Sequence, residues 1–70
     1  MSTIRPGKYR HYKGKEYEVY GTARHTETEE CFVVYRCLYG NFDLWIRPYD
    51  AFVGTVETEQ GVKPRFEYMP

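Results

Sequence analysis

From residue 16 to residue 24 the chain alternates. Tyr17, Val19 and Ala23 fall on one parity, and Glu16, Glu18, Thr22 and Arg24 on the other. A period of two predicts a half-buried strand. The polar, acidic stretch Thr26–Glu30 predicts a turn, and Cys31–Tyr39, rich in β-branched and aromatic residues, predicts the next strand. Upstream, Lys8–Tyr12 reads as a first strand closed by Lys13-Gly14-Lys15. Downstream, Gly40–Asp43 is a turn and Leu44–Arg47 a fourth strand, ended by Pro48, which has no N–H to donate. Tyr49–Phe52 suits a single 3₁₀ turn, Val53–Glu57 a fifth strand and Thr58–Lys63 an exposed loop. Pro64–Tyr68 is a terminal strand, with its proline at an edge or at its start. Five to six short strands without a helical period predict an all-β fold, a small closed antiparallel barrel in one domain of 70 residues.

Centring the acidic turn on Thr28 sets a register. Ala23 then faces Val33, Gly21 faces Tyr35, Val19 faces Cys37 and Tyr17 faces Tyr39. This pairing gathers the apolar side chains of both strands on one face, which is what selects a register. It also predicts that Gly21 makes room for the Tyr35 ring, and that Tyr20 and Arg36 meet on the outer face.

Eight Tyr, four Phe and one Trp make the aromatic residues the main source of apolar area. Most of them are therefore expected in the core. Net charge is zero, but residues 1–25 carry six basic groups against Glu16 and Glu18, and the remainder is acidic by the same margin. A strongly basic nucleic-acid binder is not indicated, although a basic face is compatible with this distribution. Cys31 and Cys37 would share a strand face about 20 Å apart, too far for a disulfide. Free thiols, no signal-like segment and no long apolar run predict a soluble, cytoplasmic chain that does not engage a membrane.

Taken together, "KYRHYKGKEYEVYGTARHTETEE", "VVYRCLYG", "LWIRPYDAF" and "PRFEY" resemble the DUF1653 family of small bacterial proteins, over about residues 7–68. The resemblance implies an SH3-like barrel and brings no established activity. Cys37 stands where the family pattern suggests a small residue such as alanine, a difference that bears on packing.

Two readings of Trp45 and Arg47 follow from the strand pattern. In one, Leu44 and Ile46 fill the interior while Trp45 and Arg47 form a displayed platform for a peptide or for stacked bases. In the other, Trp45 covers a barrel end and Arg47 pairs with Asp50 or Glu67. Tyr20 and Arg36 could extend the platform or simply stabilise the sheet. Lys8, Arg10 and Lys13 interleave with Tyr9, His11 and Tyr12, the mixture that phosphate contact with base stacking needs. His25 and Cys31 face each other in the proposed register, but no Cys-x-x-Cys and no further ligand set accompanies them. Gly14-Lys15 lacks the spacing of a phosphate loop. No catalytic residue, metal or cofactor is assigned.

The function expected is a non-catalytic binding module for a peptide or protein partner, using Trp45, Arg47, Arg36, Tyr20 and His11. The alternative is nucleic-acid binding, RNA or single-stranded, that adds Lys8, Arg10 and Lys13. An enzyme is the third reading, and an exposed patch on so small a barrel could equally serve a homodimer.

Overall fold

A computed structural model describes residues 3–70. Its elements in chain order are β1 (Gly7–His11), β2 (Glu16–Arg24), β3 (Cys31–Cys37), β4 (Leu44–Pro48), α1 (Tyr49–Val53), β5 (Thr55–Thr58), β6 (Gly61–Pro64) and β7 (Phe66–Met69). Five strands form an antiparallel sheet in the order β4-β3-β2-β1-β7, and β5 and β6 form a hairpin of their own. The all-β antiparallel fold is thus present, with its hydrogen bonding divided between two sheets. β4 and β7 are the edges of the larger one.

The core is largely aromatic. Tyr9, Tyr17, Val19, Val33, Tyr35, Cys37, Phe52 and Phe66 are buried. Tyr17 meets Tyr35 edge to face at 5.3 Å, and Tyr9 meets Phe52 the same way at 5.7 Å. Phe52, delivered by α1, stacks flat on Phe66 with centroids 4.0 Å apart. Such pairs add about 0.5–1.5 kcal/mol each beyond their area.

The expected helical turn is one turn of α-helix rather than 3₁₀. Residues 61–63, expected within a loop, form β6 together with Pro64. The Thr58 hydroxyl donates to the Gly61 carbonyl at 2.8 Å and accepts the Gln60 amide at 3.1 Å, which pins a tight hairpin turn. The terminal strand starts at Phe66, after Pro64.

The β2–β3 register differs from the expected one twice. Across the turn the His25 amide donates to the Glu30 carbonyl, and Glu29 takes a left-handed conformation (φ 60°), so Arg24 rather than His25 faces Cys31. A bulge at Tyr20 then shifts the ladder again, so that Val19 faces Tyr35 and Tyr17 faces Cys37. Two single-residue shifts restore parity. Tyr17, Val19, Val33, Tyr35 and Cys37 therefore point inward as expected, while Ala23, beyond the bulge, is exposed. Gly21 makes no room for a ring, because a Cβ there would meet nothing within 4 Å. Its φ of 149° is what the bulge requires, in a region that L side chains rarely adopt.

β4 inverts the expected faces. β3 and β4 pair Tyr35 with Trp45 and Val33 with Arg47, which places Trp45 and Arg47 on the core-facing side. Leu44 and Ile46 lie on the outer face, 54% and 60% exposed.

Candidate functional site

Trp45 lies across the core without being closed into it. Its ring meets Tyr35 edge-on at 6.3 Å and Tyr17 at 6.5 Å, yet 43% of the residue is exposed. Two positions along the same side of β4, the Arg47 guanidinium stands 5.4 Å over the Phe66 ring, and its Nε donates to the Tyr35 hydroxyl at 3.3 Å. His11, at the end of β1, is the register partner of Phe66 and meets that ring edge to face at 4.9 Å. Phe66 is therefore a common floor for His11 and Arg47. Beneath Trp45 the buried Tyr17 ring leads on to Tyr39, the hydroxyls of the two tyrosines being 2.9 Å apart, and the Lys15 ammonium sits 4.4 Å over the Tyr39 ring.

The electrostatics of this surface are one-sided. Burial lowers the His11 pKa from its ordinary value, and Arg47, Arg65 and Lys13 lower it further. His11 Nδ1 accepts the Lys13 amide at 3.2 Å, which leaves the proton of the neutral ring on Nε2. The hydrogen bond with Tyr17, then burial, raises the Tyr39 pKa and keeps its hydroxyl protonated. Among the described residues the ion pairs are Lys8–Glu16 and Arg10–Glu16, so neither Arg47 nor Arg65 is neutralised by a carboxylate. Arg65 Nε is buried without a hydrogen-bond partner. Exposed π faces beside an unneutralised guanidinium fork suit a ligand that carries an anionic group next to an apolar or flat one.

A family model described as a protein of unknown function (DUF1653) matches residues 7–68. The chain belongs to the DUF1653 family. The fold is shared with a crystal structure of a DUF1653 protein from Bordetella bronchiseptica, at 44% identity and a TM-score of 0.87, covering 94% of this chain and 87% of that one. No functionally curated protein matches. Membership in DUF1653 thus accounts for the fold and leaves the activity to be argued from the surface just described. Among the described residues no helix is long and apolar enough to cross a membrane.

Of the residues singled out in this DUF1653 sequence, the structure brings Arg47 and His11 together on Phe66, places Trp45 on the same side of β4 as Arg47, and sets Tyr20 and Arg36 apart. Arg36 faces Glu18 and Leu44 on the outer side of the sheet, where its Nε donates to the Tyr20 hydroxyl at 2.9 Å and its Nη1 to the Phe42 carbonyl at 2.7 Å. The bulge makes Tyr20 a diagonal neighbour of Arg36 rather than its direct partner. Arg47 pairs with neither Asp50 nor Glu67. Lys8 and Arg10 are both held by Glu16, at 3.7 and 3.0 Å. Lys13 lies over the Tyr12 ring. A groove of about 410 Å³, lined by Arg10, His11, Tyr12, Lys63, Pro64 and Glu67, opens beside His11. His25 Nδ1 accepts the amides of Glu27 and Thr28 within its own turn. The sequence reasoning did not single out Lys15, Tyr39, Arg65 or Phe66 for the site. Phe66 and Tyr39 could be read only as core candidates, and nothing local marks Lys15 or Arg65 as neighbours of the platform.

Proposed function

We propose that this chain is a non-catalytic binding module that takes an extended segment of a protein partner across the Trp45–Arg47 surface. An apolar or aromatic side chain of the segment rests on Trp45 and Tyr39, and a carboxylate engages the Arg47 fork. The observation that carries this reading is a partly exposed indole on the core-facing side of β4, next to a guanidinium with no carboxylate partner among the described residues. Nucleic acid is the weaker reading on the same surface, because Glu16 already neutralises two of the three cations it would add.

Trp45 is the single tryptophan of the chain, so at one fixed protein concentration its emission reports on this site. The test titrates the protein with short acidic-aromatic peptides and, separately, with oligouridylate. The expected result is a saturable spectral change with peptide that depends weakly on salt and is lost in Arg47→Gln. A change with oligouridylate that collapses as salt rises would instead establish phosphate-driven binding. Silence with both probes, or peptide affinity unaffected by Arg47→Gln, refutes the proposal.

A further inference from the structure

We propose that β4 is a self-association edge, on which a second copy of this chain lays its own β4 antiparallel, with Leu44 opposite Ile46 of the other copy. The inference rests on the strand edge and not on the ligand proposed above, although both use the Arg47 guanidinium. It starts from the ladder. The Cys37 amide donates to the Asp43 carbonyl at 3.0 Å, so Asp43 and Cys37 form a hydrogen-bonded pair. In an antiparallel ladder such pairs alternate. Trp45 and Arg47 therefore turn their amides toward β3, and Leu44 and Ile46 turn theirs to the open side. β4 is the end strand of its sheet, and β5 and β6 pair only with each other. Arg47 turns inward and Pro48 closes one end, both features of protected edges, yet the outer face of the strand between them exposes only the apolar side chains Leu44 and Ile46 and carries no lysine.

One register suits every feature of this edge. With Leu44 opposite Ile46 of the other copy, a two-fold axis passes beside Trp45. The two free amides and carbonyls of each copy then form four hydrogen bonds. Pro48 stays outside the ladder. Two leucines and two isoleucines meet on the outer face, beside Val34, the register partner of Ile46. On the other face Asp43 lies opposite Arg47 of the second copy, twice by symmetry. Neither residue has an ion-pair partner among the described residues, so the contact supplies each with its counter-charge. A shift of two residues in one direction would put Pro48 against Leu44, and a shift in either direction would separate these charges. The guanidinium has five N–H donors and gives one to Tyr35, so a carboxylate from a second copy leaves donors for a ligand. The Trp45 surfaces of the two copies come to lie side by side across the axis.

So short an edge contact belongs to the small, transient class of interfaces, and its dimer forms in the micromolar to millimolar range. Sedimentation velocity on the full chain across that range tests it. The expected result is an average mass rising toward twice the monomer, with Ile46→Lys monomeric throughout. Asp43→Arg and Arg47→Asp should each be monomeric alone, and mixing the two should regain the dimer, because every cross-axis pair is then opposite in sign. An independent check does not touch the charges. Trp45 lies opposite itself across the axis at a closely spaced position, so Trp45→Cys in a Cys31→Ser background should oxidise to a covalent dimer. A wild-type chain that stays monomeric, a dimer that survives Ile46→Lys, a mixture of folded charge variants that stays monomeric, or a Trp45→Cys variant that does not cross-link overturns the proposal.

Discussion

Truncating Trp45 to alanine separates a packed indole from one merely laid on the surface. Trp45 is 43% exposed, so a little over half of it is covered. For a large aromatic of about 250 Å², that is about 140 Å², or about 3.5 kcal/mol at 25 cal/mol per Å². A compact unfolded chain lowers the figure to about 2–3 kcal/mol. Domains hold roughly 0.05–0.15 kcal/mol per residue, about 4–10 kcal/mol for a chain of 70. Trp45→Ala should therefore remain folded at 25 °C with its thermal midpoint lowered by about 8–24 °C. Urea unfolding followed by far-ultraviolet circular dichroism measures this without relying on the lost fluorophore. Trp45→Phe should lose less, because a ring still reaches Tyr17 and Tyr35. A loss below about 0.5 kcal/mol, typical of surface sites without special contacts, would refute the packing against Tyr17 and Tyr35. A chain that no longer folds would refute the partial exposure on which the binding proposal rests.

The His11 imidazole should titrate below its ordinary 6.5, as read by NMR, and Arg47→Gln should raise its midpoint by removing one of the cations that depress it. The unfolded chain then binds the proton first, so this contribution to stability is present above pH 6.5 and is lost as pH falls through the lower folded value. A His11 midpoint at or above 6.5 contradicts the cationic surroundings. Gly21→Ala should destabilise by about 1–3 kcal/mol through backbone strain alone, while D-alanine at this position, in a synthetic chain, should be tolerated. Equal midpoints in urea for the two would remove the bulge argument. Glu16→Gln releases Lys8 and Arg10 and should strengthen oligouridylate binding and steepen its salt dependence, readable by fluorescence anisotropy. An unchanged salt slope would show that these cations do not face the nucleic acid.

Strands that alternate show their buried face in the sequence, whereas β4, which does not, reads on the wrong face. In β2 and β3, the Tyr17-Val19 and Val33-Tyr35-Cys37 sets announce the buried side by period alone. Their pairing was less accessible. It depends on a left-handed Glu29 and a bulge at Tyr20, neither of which has a strong local signal, and the inward set survived because the two shifts add to an even number. β4 offers Leu, Trp, Ile and Arg in succession, so both parities carry large apolar groups and only the register with β3 can decide between them. β6 is exposed at all four positions and has no apolar period to detect. A threonine side chain in the turn defines its hairpin instead.

The inversion of β4 changes what its residues can do. Had Leu44 and Ile46 pointed inward, Trp45 and Arg47 would have stood on the outer face, away from Phe66. Facing inward at the sheet edge, the indole is steadied by Tyr17 and Tyr35 and the guanidinium by Phe66 and the Tyr35 hydroxyl. Preorganised groups lose less freedom when a ligand arrives, which is where a small surface gains affinity. The other consequence of the same register is that Leu44 and Ile46 have no interior to fill. Their exposure on an unpaired strand is a liability for a chain that remains alone, and a means of association for one that does not.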